Sequence, residues 1–239
     1  MLHFFLRYEL GFMGLVGYYW KNIPVVPSML LILVYVLVPY LLGSINTAIL
    51  VSKHFYHDDV RNYGSGNAGF TNVMRTYGKK AAVITFVGDI LKTMLAVMLG
   101  WCVFGYLTAY IAGFACFLGH IFPVYYRFKG GKGIVCLTAM LFILDWRIFI
   151  TLLVVFVGIV LATKYISAGS VICSMMFPLL LERMNDTGIY MIEFVAMAIA
   201  VIVVVKHREN LKRIFNGTES KFAFKKSKKP EAEGDINGK

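Results

Sequence analysis

Apolar residues in this chain gather into long runs, and the glycines, charges and amides collect in the gaps between them. A helix needs about 17 to 25 apolar residues to cross a bilayer, and the runs predict seven membrane helices at residues 29–51, 81–99, 101–118, 134–144, 148–163, 166–181 and 189–205. The fourth run is short enough to suit a re-entrant or buried helix as well, and it is expected to borrow Gly131–Gly133 as its first turn. Pro39 and Pro178 fall inside runs, where neighbouring helices can satisfy the freed carbonyls. Before the first run, residues 1–28 carry Arg7 and Glu9 and no small-residue cleavage site, which reads as an interfacial segment rather than a removable signal. The expected organisation is that segment, one membrane domain over 29–219, and a charged, disordered tail over 220–239.

Composition agrees with an all-α integral membrane protein. Hydrophobic residues make up 59%, charged residues 15%, and the mean hydropathy is +0.70, against about 25% charged in soluble domains. The net charge of +11 comes from residues flanking the runs, so the partner it suggests is a membrane surface and not nucleic acid. Nineteen of the 24 Lys and Arg fall in the segments after runs one, three, five and seven, and only Arg7, Lys21, Arg147 and Arg183 fall on the other side. The rule that such residues stay inside the cell makes the long polar loops and the C-terminus cytoplasmic. The four cysteines, Cys102, Cys116, Cys136 and Cys173, show no metal spacing and are expected to be buried packing residues.

The polar loops carry the chemistry. In the first, Gly64-Ser-Gly-Asn-Ala-Gly-Phe-Thr-Asn72 is followed by Arg75. Glycines let backbone N–H groups turn inward around an anion, Ser65, Asn67, Thr71 and Asn72 add short donors, and Arg75 adds a bidentate fork. An ordinary turn into a helix capped near Thr71 accounts for the same residues. The second loop ends Lys129-Gly130-Gly131-Lys132-Gly133 at an expected helix N-terminus, where the dipole favours an anion, although its spacing is not that of a nucleotide-binding P-loop. Ser167 and Ser170 are expected at the surface between runs five and six. His207 and Asn210 follow run seven on what reads as a continuing helix, with Glu219 beyond. Asp89 and Lys92 lie three apart inside run two, as functional charges or as an ion pair that fixes packing.

Together these segments resemble the bacterial glycerol-3-phosphate acyltransferases that use acyl phosphate, the PlsY type. The resemblance rests on Gly43-Ser-Ile-Asn-Thr-Ala48, Asp59-Val-Arg61, Gly64 to Arg75, Gly119 to Gly133, the serines Ser167 and Ser170, and His207 to Glu219. The family usually has Pro at position 46 and Ala at position 70, where this chain has Asn46 and Phe70, and the stretch before Met29 is longer than the pattern requires. The resemblance implies acyl transfer from acyl phosphate to the 1-hydroxyl of sn-glycerol 3-phosphate in a bacterial inner membrane, with lysophosphatidic acid and phosphate as products, no metal or cofactor, and no side-chain base. It implies catalytic roles for Ser65, Arg75, Lys132, His207 and Asn210. Substrate or phosphate contacts are implied for Asn67, Thr71, Asn72, Lys129, Gly130, Gly131, Ser167, Ser170 and Glu219.

Two other readings compete. His54 and Asp59 match the H-x-x-x-x-D spacing of a different acyltransferase class, a match that chance readily supplies. A transporter would explain the helices and the Asp89–Lys92 charges but not the loops, and the two halves of the chain show no internal repeat.

Overall fold

The computed structural model describes residues 25–184 and 189–222, and these form helices and loops with no strand. Of the interfacial segment expected over residues 1–28, residues 1–24 lie outside the described residues and residues 25–28 belong to the first helix; of the tail expected over 220–239, residues 223–239 lie outside them. Ten α-helices follow in order. They are α1 (Val25–Ser44), α2 (Thr47–Tyr56), α3 (Phe70–Tyr77), α4 (Lys79–Phe104), α5 (Tyr106–Ile121), α6 (Ile134–Leu144), α7 (Trp146–Thr163), α8 (Ile166–Met184), α9 (Tyr190–Lys206) and α10 (Arg208–Phe215).

The outer surface has the polarity of a membrane protein. Along α4, Val83, Val87, Leu91, Leu95 and Met98 recur at helical spacing and are all exposed, while Thr85, Asp89, Lys92 and Thr93 are buried on the opposite face. A soluble helix would do the reverse. The centre of the bundle is α5, most of whose residues are buried, whereas the peripheral α7 buries only Ile148 and Leu152. Close packing at the centre depends on absent side chains: a Cβ on Gly119 would stand 2.1 Å from the Tyr40 carbonyl oxygen of α1. Glycine is what lets two helix backbones touch.

A helix occupies the position of each of the seven predicted runs, and among the described residues five or six of them have the length and composition of a full crossing. Five helical stretches are long and apolar enough, Leu33–Tyr56 counting α1 and α2 together, and the bent pair α9–α10 makes a sixth. The remaining helix, α6, has 11 residues and so is only about 16 Å long. Its start is late because Gly131–Gly133 is not its first turn. Residues 129–133 take no regular secondary structure, and Gly133 takes a left-handed φ of 79° as the residue before the helix.

Two breaks shape the loop-bearing end. α1 stops because Asn46 turns extended and its Oδ1 accepts the Ile49 N–H, capping α2. At the other break, α9 does not continue straight into α10; the chain bends by 52° at His207. Two other expectations are also corrected. Cys102 is exposed and Cys173 half-buried, so only Cys116 and Cys136 are buried packing residues. Ser167 and Ser170 lie inside the first turns of α8, 5% and 3% exposed, because that helix begins at Ile166 and turns them inward.

Candidate active site

Two loops and the C-terminal turn meet at one end of the bundle over a cavity of about 410 Å³. Following the first loop, Asn72, 1% exposed, makes three hydrogen bonds to the backbone. Its Nδ2 donates to the carbonyls of Val60 (3.0 Å) and Tyr63 (2.9 Å), and its Oδ1 accepts the Ser65 N–H (3.1 Å). Asn72 therefore builds the loop while also lining the cavity, beside Ser65, Asn67, Thr71 and Arg75. α3 begins after Gly69, two residues before the expected cap at Thr71. Asn46 Nδ2 donates to the Ala68 carbonyl (3.3 Å), so the break in the first span also anchors this loop.

Arg61 ties the first loop to the second. Its side chain is held by Asp59 (2.6 Å), and its NH1 donates to the Lys129 carbonyl (3.1 Å). Lys129 offers that carbonyl while its side chain is exposed, and Lys129, Gly130 and Gly131 do not line the cavity. The glycine pair packs instead against the end of α5: Gly130 N–H donates to the Ile121 carbonyl and Gly131 N–H to the His120 carbonyl. A Cβ on Gly131 would stand 2.1 Å from His120 Nε2. Lys132 alone of this segment reaches inward, donating to Asn210 Oδ1. Burial drives the Lys132 ammonium down to about 8 despite the opposing pull of Glu219, with Arg213 and Arg75 adding to the fall.

The C-terminal turn is organised on Glu219, 9% exposed. Its Oε1 accepts from Ser167 Oγ (2.9 Å) and Asn210 Nδ2 (2.6 Å), and its Oε2 accepts from Arg213 Nε (2.8 Å). Burial raises the Glu219 carboxyl, but these three donors outweigh it and hold the group below its ordinary value. Beyond it, the Ser220 carbonyl accepts from Arg75 (3.2 Å) and the Phe222 N–H donates to the Lys164 carbonyl (2.7 Å), so residues 220–222 lie against the body. His207 donates from Nδ1 to the Val203 carbonyl (2.8 Å), which leaves Nε2 as an acceptor at the cavity wall. Burial, with help from Lys132, pushes His207 down to about 4, so it is neutral at pH 7.

The cavity thus gathers Ser65, Asn67, Thr71, Arg75, Lys132, Ser167, Ser170, His207, Asn210 and Glu219 at one end, and continues between α6, α7 and α8 along Leu141, Phe149, Leu152, Leu153, Phe156 and Val160. A polar, cationic mouth opens into an apolar slot. Asp89 and His120, to which sequence reasoning gave no place in the site, also line it. Asp89 and Lys92 form an ion pair of 2.7 Å. The rival pairing of His54 with Asp59 does not form: His54 is exposed and Asp59 is taken by Arg61.

Comparison with known proteins places these features in a lineage. The glycerol-3-phosphate acyltransferase profile matches residues 33–217. A glycerol-3-phosphate acyltransferase of Thermoanaerobacter sp. (strain X514) is 40% identical over 190 residues, 79% of this chain and 94% of its own. One from Finegoldia magna is 39% identical over 188 residues, 77% and 93% of the two chains. The crystal structure of PlsY, an integral membrane glycerol 3-phosphate acyltransferase, in its glycerol 3-phosphate form superposes with a TM-score of 0.74 at 34% identity, covering 80% of this chain and 95% of PlsY. A second form of PlsY, with lysophosphatidic acid, gives 0.72 at 32% identity, with the same coverage. With the family match running from the broken first span to Gly217, this integral membrane chain belongs to the glycerol-3-phosphate acyltransferase family.

Proposed function

We propose that this acyltransferase takes its acyl group from acyl phosphate and delivers it to the 1-hydroxyl of sn-glycerol 3-phosphate, releasing lysophosphatidic acid and phosphate. The observation that carries the proposal is the continuity of the cavity: a mouth holding Arg75 and Lys132 leads directly into a slot walled by Phe149, Leu152, Leu153 and Phe156. An acyl phosphate has this form, a charged head on an apolar chain. Glycerol 3-phosphate, charged at one end and hydroxylated at the other, is the acceptor named for the PlsY structure.

In the proposed step the acceptor's hydroxyl oxygen bonds to the acyl carbonyl carbon, the bond from that carbon to the phosphate oxygen breaks, and the hydroxyl proton leaves with phosphate. Arg75 and Lys132 hold the two phosphates against each other's charge, Ser65, Asn67 and Thr71 supply short donors beside them, and Asn210, Ser167 and Ser170 shape the acceptor's pocket. Glu219 orients Asn210 and Arg213. His207 is a poor proton acceptor: a base depressed to about 4 has little driving force at pH 7. A phosphate oxygen, with a second pKa of about 6, takes the proton more readily. That difference favours assistance by the substrate over a side-chain base. The excess of Lys and Arg on the motif-bearing side supports a cytoplasmic active site in a bacterial inner membrane.

Purified protein in lipid vesicles, given glycerol 3-phosphate with acyl phosphate, acyl-CoA or acyl-carrier protein in turn, is expected to form lysophosphatidate from acyl phosphate alone. Formation from acyl-CoA but not acyl phosphate would overturn the donor assignment. The state of Lys132 gives a second expectation. Since its ammonium loses its proton near pH 8, kcat/KM for glycerol 3-phosphate falls as the pH rises through about 8, and Lys132→Arg moves that limb to higher pH. A limb unmoved by the arginine assigns the titration elsewhere.

A further inference from the structure

The end of α5 carries a polar group that the proposed reaction has not used. His120 is 3% exposed and lines the cavity. Its ring is fixed from one side by charges: Nδ1 lies 3.0 Å from Lys92 Nζ and 3.5 Å from Asp89 Oδ1. Lys92 is itself fixed, donating to the carbonyls of Gly43 (3.2 Å) and Ile45 (2.9 Å) at the break of the first span, and paired with Asp89 at 2.7 Å. Thr47 Oγ1 donates to the same Asp89 oxygen (3.1 Å). The other ring nitrogen, Nε2, meets no hydrogen-bonding partner among the described residues. It has room only because residue 131 is glycine.

The ring's proton follows from its neighbours. An ammonium has protons to give and no lone pair, so the nitrogen facing Lys92 is an acceptor and the neutral ring carries its hydrogen on Nε2. A charged ring, with Nδ1–H turned to Asp89, carries a hydrogen on Nε2 as well. Each state compatible with the cluster therefore leaves a rigid N–H, on a residue that lines the cavity, without a partner among the described residues.

Resting on the acyl-transfer reading above, we infer that His120 is a further catalytic residue, whose Nε2–H donates to the acyl carbonyl oxygen as that oxygen becomes negative, with Asp89 and Lys92 as its positioning residues. The standing phosphate charges already face two cations, Arg75 and Lys132. A neutral or shared donor held in place before reaction is suited instead to charge that exists only in the transition state. No proton is transferred by His120 in this role, and the bonds made and broken remain those of the proposed step.

The test uses two amides of different reach. His120→Asn sets an amide where Nδ1 stood, keeping an acceptor for Lys92 and removing the distal donor; His120→Gln carries an amide N–H out to the place of Nε2. In full-length protein reconstituted in lipid, H120N is expected to lose about 10²-fold in kcat while KM for acyl phosphate and for glycerol 3-phosphate changes less than about threefold. H120Q is expected to recover to within about tenfold of the wild type. A purely structural role would lower the amount of folded protein or raise both KM values, and would not separate Asn from Gln. H120N with wild-type kcat, or a loss confined to KM, overturns the assignment. Should H120N fail to accumulate, Gly131→Ala approaches the same nitrogen from outside the charged cluster, and an unchanged kcat there is equally fatal. The wild type is the control for the underlying reaction: one that forms no lysophosphatidate removes the reaction and His120's role together, whereas an active wild type with an indifferent His120 removes only the latter.

Discussion

Arg75→Ala is expected to lower acyl transfer by about 10³-fold or more while the protein remains in the membrane at its normal amount. Arg75 stands on α3, half-buried, with its guanidinium at the polar end of the cavity. Removing one partner of a desolvated charge pair costs about 2–5 kcal/mol, and each 1.4 kcal/mol is tenfold in rate. A phosphate gripped by a fork also loses its alignment when the fork is removed, which adds to the loss in kcat. The bond that Arg75 makes to the Ser220 carbonyl is exposed, and such a bond contributes little to holding the fold together. Arg75→Lys keeps the charge but not the paired N–H groups, so it should recover only part of the rate. His54→Ala, beside it in the same assay, is expected to be silent, because His54 is exposed and has no contact with Asp59. A dead His54 variant with an active Arg75 variant would reverse the assignment. The measurement is the initial rate of lysophosphatidate formation per amount of reconstituted protein.

The positions of the membrane helices were legible because a bilayer imposes one coarse demand, an apolar run of sufficient length, and that demand is written in every residue of the run. The breaks were not, because each is decided by a few polar contacts made across the fold. Asn46 is a residue type that caps helices, but an unbroken apolar run does not show that it ends α1, caps α2 and holds Ala68. The 52° bend at His207 and the late start of α6 likewise come from local backbone geometry that hydropathy does not register. In the loops, residue type told that an anion was to be gripped but not which residues would grip it. Asn72 spends all its hydrogen bonds on the backbone, and Gly131 serves the side chain of His120 by making room for it. Lys129 and Lys132 are equivalent on paper, yet one is exposed and the other turns inward to Asn210. The charged pair at positions 89 and 92 was visible at once. Its link to His120, 28 residues beyond Lys92, needed the packing of α5 against α4.

Glu219→Ala should produce the largest combined loss of activity and stability, and its isostere separates the two. The carboxylate is the common acceptor for Ser167, Asn210 and Arg213, and it lies among the positive charges of Arg75, Lys132 and Arg213. Cutting it out leaves donors unpaired in a buried place and three cations without a counter-charge, a class of change that costs about 3–5 kcal/mol. The alanine variant is therefore expected to melt several degrees lower and to lose nearly all transfer. Glu219→Gln keeps an oxygen for two of the donors and should fold. What it lacks is the negative charge, and that has a signed consequence. Glu219 supports the charged form of Lys132, so in E219Q the lysine loses its proton at lower pH and the alkaline fall of kcat/KM moves from about 8 towards neutrality. The carboxylate's own titration runs the other way: its folded value lies below the ordinary 4.5, so its contribution to stability is present above that pH and is lost as the pH falls through the folded value. Wild type and E219Q should therefore converge in thermal stability under acid conditions and diverge in rate under alkaline ones. An alkaline limb that stays in place in E219Q would mean that the carboxylate and Lys132 do not sense one another, and that the C-terminal turn braces the site without tuning its charge.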